Sequence, residues 1–285
     1  MTEFLVVANR TLGGLKLLEL IRTRARAEEN VHFHLVVPQS KPSAGLVIYD
    51  EAVRDSAQVR VDLALELAAE EGIEATGEVG DADPFLATMD AIGARRPDGV
   101  IVSTHPATHS GWLRRDLIER IHNASGLPVE HVVTDLEREG LPFAVTLVIA
   151  NKTSSGEELI ERLQAKAAAD PEDGRRLFVA VVPQQERSGR APDRARARLD
   201  AMLERLRGLG LLAAGMIGDP DPYTAALNAL ELFHVDDVVI STLPDQRSGW
   251  MRANLIQRVQ GTTAAPVEHV VVDISDTAVA TASAR

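Results

Sequence analysis

The sequence predicts an α/β protein that consists of two tandem copies of one parallel-sheet domain. Three observations predict this fold. The chain of 285 residues repeats its own phrases, and its length alone fits about two domains. Each repeat alternates apolar strands with helical segments, which is typical of a parallel sheet with helices on both faces. The strands are short, continuous, valine-rich runs, as expected of strands that are buried on both sides.

The repeat extends over most of the chain. Residues 102–112, VSTHPATHSGW, and residues 240–250, ISTLPDQRSGW, are identical at six of eleven positions. Residues 128–135, PVEHVVTD, match residues 266–273, PVEHVVVD, at seven of eight positions. Shorter phrases also repeat: GDADP with GDPDP, VANRTLGG with IANKTSSG, and VVPQ twice. The sequence therefore predicts one domain over 1–138, a second over 142–275 and a flexible tail over 276–285.

The first half of each repeat predicts two strands, each followed by a helix. In the first repeat FLVVA is a short apolar strand, and the helix after it carries Leu15, Leu18 and Ile21 on one face. VHFHLVVP is a second strand, which Pro38 ends. A long helix follows over roughly 51–71.

The second half predicts three more strands. IEATGEVG is a strand, and the next helix begins with Asp83 as its N-cap and Pro84 at its first helical position. DGVIVS is the fourth strand, and Ser110 is the predicted N-cap of the helix that follows it. PVEHVVTD is the fifth strand, and the second repeat gives the same order of elements.

The composition excludes several classes of protein. The chain has no cysteine, which excludes disulfides, thiol catalysis and cysteine–zinc sites and suits a reducing cytoplasm. No apolar run approaches the roughly 20 residues that span a bilayer. The start, MTEFLVVANRTLGG, is not expected to be a signal peptide, because its apolar run is short and follows an acid. The net charge of −12 makes a broad nucleic-acid surface unexpected. We therefore expect a cytoplasmic protein without membrane or nucleic-acid partners.

The order of elements resembles the universal stress protein family in its tandem, two-domain form. The resemblance includes the long helix after strand two, the GDxxP segment before helix three and the polar loop after strand four. It implies a five-stranded sheet of order 3-2-1-4-5 in each domain, of the nucleotide-binding α-hydrolase-like kind. It also implies a pseudo-twofold axis between the domains, contacts through the last strands, further dimerisation, a link to stress survival, and ATP or AMP as ligand.

The nucleotide motif of that family is altered here. Asn9 and Asn151 stand where nucleotide-binding members carry an aspartate at the end of strand one. Thr104 and Thr242 stand at the first glycine of the family's G-x-x-G phosphate loop, and the later glycine–hydroxyl pair is absent. Because glycine lets a backbone approach a phosphate closely, the sequence predicts weak ATP binding or none. The cofactor is therefore left open.

The sequence still predicts a site for a small anion or nucleotide in each repeat. In an open parallel sheet, ligands bind beyond the carboxyl ends of the strands where the strand order reverses, here between strands one and four. The loops there offer amides, cations and hydroxyls, and the SG phrase before helix four offers backbone N–H groups that attract anions. The predicted ligand-binding residues are Asn9, Arg10, Thr11, Ser103, Thr104, His109, Ser110, Gly111, Asn151, Lys152, Thr153, Ser241, Thr242, Arg247, Ser248 and Gly249.

Two other interpretations stay open. Each polar residue also fits a structural role as a turn or cap, which favours a degenerate scaffold that acts through protein contacts. An enzyme has little support. His105 lies within reach of Ser110, but the second repeat has Leu243 at the position of His105. The sequence therefore assigns no catalytic residue and no metal site, and it favours binding without turnover.

Overall fold

The computed structural model describes residues 1–28, 30–40, 50–106, 116–170, 175–184, 191–244, 250 and 254–273. These residues divide into two compact units, which we call unit 1 and unit 2 and which meet in the chain between Phe143 and Ala144. The predicted tail, 276–285, lies outside the described residues. In the described ranges, no helix has both the length and the apolar character needed to cross a membrane.

Each unit contains five strands that are connected by helices. Unit 1 consists of β1 (Thr2–Val7), α1 (Leu15–Ala27), β2 (Val31–Pro38), α2 (Asp50–Glu70), β3 (Ala75–Gly80), α3 (Pro84–Arg95), β4 (Gly99–Thr104), α4 (Leu117–Ser125), β5 (Val129–Val133) and the short α5 (Leu136–Glu139). Unit 2 consists of β6 (Ala144–Ile149), α6 (Glu157–Ala168), β7 (Arg176–Pro183), α7 (Ala191–Gly208), β8 (Leu212–Gly218), α8 (Pro222–Leu232), β9 (Asp237–Thr242), α9 (Leu255–Gln260) and β10 (Val267–Val271).

Both sheets are entirely parallel and share one strand order. The order is β3-β2-β1-β4-β5 in unit 1 and β8-β7-β6-β9-β10 in unit 2, which is 3-2-1-4-5 within each unit. At the end of β1, Val7 lies beside Val36 of β2 and Val102 of β4. The predicted fold class, two tandem five-stranded parallel sheets with flanking helices, is confirmed. The carboxyl ends of β1 and β4, and of β6 and β9, therefore lie side by side.

Alternate residues of each central strand pack under helices on opposite faces of the sheet. Phe4 and Val6 of β1 belong to one buried cluster with residues of α1 and α2. Leu5 and Val7 belong to another, with residues of α3 and α4. This two-residue period explains why the strands are apolar throughout.

The predicted apolar face of α1 is partly wrong. Leu17 and Ile21 are the buried residues of this helix, whereas Leu15 and Leu18 are only half-buried. The helix is therefore rotated relative to the prediction. At the start of the helix, Gly14 packs so closely on Thr134 that an added Cβ would lie 2.0 Å from the Thr134 methyl carbon.

The repeated GDxDP phrase is a helix cap. The Asp83 carboxylate accepts a hydrogen bond from the Phe85 amide at 2.8 Å, as predicted, and Pro84 occupies the first helical turn. In unit 2, Asp221 accepts from the Thr224 amide at 3.2 Å. These caps satisfy amides that have no partner inside the helix. The phrase is therefore explained by local structure without a ligand.

Histidine protonation is expected to weaken unit 1 in mild acid. His34 on β2 is buried, and its Nδ1 lies 2.8 Å from the Thr76 hydroxyl. Burial, and secondarily the charge of Arg95, lower the pKa of His34 below its ordinary value. The unfolded chain then binds the proton more tightly than the folded one, so stability should fall as pH drops below about 6.5. Urea unfolding of His34→Gln should show a flatter pH dependence across this range, while exposed His122→Gln should keep the wild-type slope.

Candidate functional site

The polar residues after β1 and β6 lie at the topological switch point of each sheet. Asn9 follows β1, and Thr104 ends the neighbouring strand β4. Asn151 and Thr242 take the equivalent places in unit 2. Parallel strands end at the same edge of a sheet, so the predicted residues of the two loops face the same edge.

The two asparagines tie the first strand to the second. The Asn9 amide nitrogen donates to the Pro38 carbonyl at 2.8 Å, and the Asn151 amide nitrogen donates to the Pro183 carbonyl at 2.8 Å. Because a carbonyl can only accept, these bonds fix the amide orientation and turn each Oδ1 away from the second strand. Asn9 is 9% exposed and Asn151 is 8% exposed, so both oxygens lie in the interior.

The repeated hydroxyls hold the loops to the strand ends. Thr11 donates to the Ser103 carbonyl at 3.2 Å, and Thr153 donates to the Ser241 carbonyl at 3.1 Å. The Ser103 hydroxyl lies 3.2 Å from the Thr134 hydroxyl. All these side chains are buried. The hydroxyls are therefore engaged with the protein itself, which is the structural role that the sequence left open for them.

Hydroxyl and imidazole groups also pair at the ends of β4 and β9. The Thr104 hydroxyl lies 2.9 Å from His131 Nε2, and the Thr242 hydroxyl lies 2.8 Å from His269 Nε2. Burial lowers the pKa of His131, which favours the neutral ring. A hydroxyl beside a neutral imidazole is the first requirement of a nucleophile and base. Both threonine side chains are buried, however, so a substrate does not reach these hydroxyls, and the pairs join adjacent strand ends instead.

The described cations at the switch point include one pair that the sequence analysis missed. Arg10 and Lys152, both predicted, are exposed in the loops after the first strands. Arg60 of α2 is buried, and Arg198 of α7 is half-buried and donates to the Asn151 Oδ1 at 2.9 Å. Neither Arg60 nor Arg198 is among the ligand-binding residues predicted from the sequence.

Arg60 and Arg198 are equivalent residues. A Cβ added at Gly77 would lie 2.8 Å from Val61, and one added at Gly215 would lie 2.6 Å from Leu199. The residue before each of these contacts is an arginine, and the two arginines are 138 positions apart, the offset of the repeated phrases. That offset applied to the two long helices would have identified the pair.

The electrostatic environment of these arginines is unfavourable for positive charge. Burial, and then the charge of Arg10, lower the pKa of Arg60 to about 9. Burial and the charge of Arg194 lower the pKa of Arg198. Each arginine thus lies beside another cation in a partly desolvated place. An anion bound there would relieve the repulsion.

Other predicted residues cannot be placed. His109, Ser110, Gly111, Arg247, Ser248 and Gly249 lie outside the described residues, as does Trp112 of the repeated SGW phrase. Trp250 is described and half-buried. Over the described ranges, no three histidine, aspartate or glutamate side chains are arranged to hold a metal ion.

Comparison with known proteins finds likeness only at the level of solved structures. The chain matches no family model and no curated protein. It is similar to a universal stress protein from Archaeoglobus fulgidus DSM 4304, at 14% identity over 95% of this chain and 97% of the other, with a TM-score of 0.33. It is also similar to a functionally unknown protein from Pseudomonas aeruginosa PAO1, at 17% identity over 96% of this chain and 93% of the other, with a TM-score of 0.32. Scores this low assign neither a family nor a function.

Proposed function

We propose that this chain is a protein of the universal-stress type that binds a small anionic ligand at the switch point, without turnover. The observation that carries the proposal is the buried Asn9 Oδ1 at the end of β1, which has no hydrogen-bond partner among the described residues and is followed in the chain by the exposed Arg10. The charge of Arg10 also acts on the buried Arg60. Guanidinium groups bind oxyanions through parallel N–H bonds. Binding without turnover is supported by the described hydroxyls of the site, which are all buried and, except for that of Ser241, bonded to the protein.

The loop chemistry favours a small anion over ATP. Thr104 is buried where the resemblance places a glycine of the phosphate loop, and its hydroxyl is held by His131. A β-branched side chain at that position keeps a triphosphate away from the backbone amides. We therefore propose phosphate or a phosphomonoester as the class of ligand, within a stress-related or regulatory role.

A thermal melt with and without phosphate tests this function. At a phosphate concentration of about 100 times the dissociation constant, binding should stabilise the folded state by about 2.7 kcal/mol, or about 5 °C or more in Tm. Arg10→Ala should abolish most of this shift while changing the Tm of the phosphate-free protein little, because Arg10 is exposed. Arg26→Ala, which removes an exposed arginine from the last turn of α1, is the matched control and should keep the shift.

Comparison of ligands completes the test. ATP should raise the Tm no more than phosphate does, and sodium chloride at matched ionic strength should not reproduce the shift. If no phosphate compound changes the Tm of the wild type, the proposed binding function is wrong.

A second candidate function is a scaffold that acts through protein contacts. The observation that favours it is an exposed valine on the outermost strand of each sheet: Val133 of β5 is 39% exposed and Val271 of β10 is 46% exposed. An outermost strand also presents unpaired backbone groups to a partner. Two results together would favour this function over ligand binding. Anions would leave the Tm unchanged, and a variant with both Val133→Lys and Val271→Lys would lose association with its protein partner.

A further inference from the structure

The two units differ in what the carbonyl oxygen of the switch-point asparagine contacts. In unit 2, Asn151 Oδ1 accepts a hydrogen bond from Arg198 at 2.9 Å. In unit 1, Asn9 Oδ1 is buried and has no hydrogen-bond partner among the described residues. The amide nitrogens of both asparagines make the same bond to a proline carbonyl, so this difference does not arise from a rotated amide. Of the two switch-point asparagine oxygens, only that of unit 1 still needs a donor.

The arginines of the second helices differ in the same way. Arg60 Nη1 donates to the Ser56 carbonyl of its own helix at 2.9 Å, although the equivalent Arg198 reaches the asparagine. Arg60 is 7% exposed, and the nearby charge of Arg10 acts on it. Arg194 brings a second positive charge near Arg198 in unit 2, but there the asparagine oxygen is already occupied. Unit 1 therefore combines two guanidinium groups with an acceptor, and unit 2 does not.

We propose, building on the anion-binding function above, that unit 1 alone binds one phosphate-type oxyanion, with Arg10 and Arg60 contacting its charged oxygens and Asn9 Oδ1 accepting a hydrogen bond from its protonated oxygen. Unit 2 is the structural copy, in which Arg198 replaces the ligand's donor.

The acceptor determines the chemical class of the ligand. Inorganic phosphate carries an O–H group at neutral pH, whereas sulfate has only acceptor oxygens, as does the dianion of a phosphomonoester. Asn9 Oδ1 can accept a hydrogen bond from the O–H group of phosphate. Sulfate would place only another acceptor oxygen against Asn9 Oδ1, and no hydrogen bond would form. Unit 1 should therefore discriminate phosphate from sulfate, although both anions suit the two arginines equally in charge and shape.

The proposed site is closed in this structure. The Asn9 oxygen has almost no accessible surface, and the neighbouring Ser40 hydroxyl accepts from the Asn9 amide at 2.5 Å. Arg10 is the exposed member of the set. An entering anion would meet Arg10 first, and displacement of a neighbouring side chain must precede contact with Asn9. The same order of events predicts slow association relative to a site on an open surface.

Isothermal titration of the full chain with phosphate and with sulfate, at neutral pH and matched ionic strength, tests the inference. We expect one phosphate per chain and a phosphate affinity at least about tenfold above that for sulfate. Arg60→Met should weaken phosphate binding by about tenfold or more, whereas Arg198→Met should change it less than about twofold. Arg26→Met is the control for removal of a distant exposed arginine.

The Arg60 variant is expected to fold. Its long apolar side chain replaces a desolvated charge that lies near another cation, a change that is often neutral or stabilising. The Tm of phosphate-free Arg60→Met checks this directly, and the comparison of phosphate with sulfate needs no variant.

Each outcome separates the inference from the function on which it rests. Three results would overturn the inference and leave anion binding in place. They are a stoichiometry of two phosphates per chain, equal losses of phosphate affinity in the Arg60 and Arg198 variants, and equal affinities for phosphate and sulfate. A crystal structure with Arg60 bonded to Asn9 Oδ1, as in unit 2, would also overturn it. No heat of binding for any phosphate compound would overturn the proposed function as well.

Discussion

Replacement of Asp237 by alanine is expected to destabilise unit 2 by about 1–3 kcal/mol, because it removes the anion that two partly buried cations share and leaves each with only one other carboxylate. Asp237 begins β9 and is 8% exposed. Its carboxylate contacts Lys166 Nζ at 3.0 Å, the Arg176 guanidinium, and the Thr146 hydroxyl at 3.2 Å. Loss of this one side chain thus affects three elements of the unit.

Urea unfolding monitored by the fluorescence of Trp250, in a Trp112→Phe background, measures this loss in unit 2. Glu161→Ala on the exposed face of α6 is the matched control and should change stability by less than about 0.5 kcal/mol. A Lys166→Met change added to Asp237→Ala should recover part of the loss, because it removes one of the two cations that have lost a carboxylate partner. Equal stability of Asp237→Ala and wild type would show that solvent already compensates these cations.

Unit 1 shows that the fold itself does not require this ion network. Gly99 takes the place of Asp237 at the start of β4, and Phe4 takes the place of Thr146. Phe4 packs on Phe33 with ring centroids 6.0 Å apart. The same position in the fold is therefore apolar in one unit and ionic in the other. This contrast supports partial recovery of stability when the charges are replaced by apolar side chains.

Alanine at Gly14 or Gly156 is expected to cost about 1–3 kcal/mol or more, by overpacking of the contact between the first helix and the chain after the fifth strand. A Cβ at Gly14 would lie 2.0 Å from Thr134, and one at Gly156 would lie 2.3 Å from Val272. These glycines end the repeated VANRTLGG and IANKTSSG phrases, which explains why the phrase recurs even where its other loop residues differ.

A second substitution should restore part of the stability that each glycine variant loses. Thr134→Ser removes the overlapping methyl group and keeps the hydroxyl that contacts Ser103, so Gly14→Ala should cost less in that background. Val272→Ala should do the same for Gly156→Ala. Gly93→Ala, in α3 with open space around the added methyl, is the control and should stabilise by about 0.5–1 kcal/mol. Additive losses in the double variants would contradict the overpacking account.

Much of the fold could be predicted because it depends on local pattern. Asp83 and Pro84 mark a helix start by chemistry that acts within one turn, and the structure has that cap. The strand order was implied by a resemblance and is confirmed by the pairing of β1 with β2 and β4. The close contact of Gly14 was not predictable, because it is made with a residue 120 positions away.

The sequence predicted that the polar loop residues lie at neighbouring strand ends, but it did not predict that Arg60 is buried near them. The strand-end asparagines and Arg10 follow from where parallel strands stop. Helical periodicity could not predict that Arg60 is buried. An arginine beside apolar residues is also typical of a surface position at which the aliphatic part of the side chain covers the core. Its burial depends on the packing of Val61 against Gly77 of β3, which no pattern within the helix encodes.

The most direct test of anion binding at the switch point is a crystal structure of the chain grown with arsenate, a protonated phosphate analogue whose arsenic gives an anomalous signal. We predict one arsenic peak per chain, in unit 1, with arsenate oxygens in hydrogen-bond contact with Arg10, Arg60 and Asn9 Oδ1. If saturating arsenate gives arsenic peaks only at surface positions and none at either switch point, the proposed anion binding is wrong.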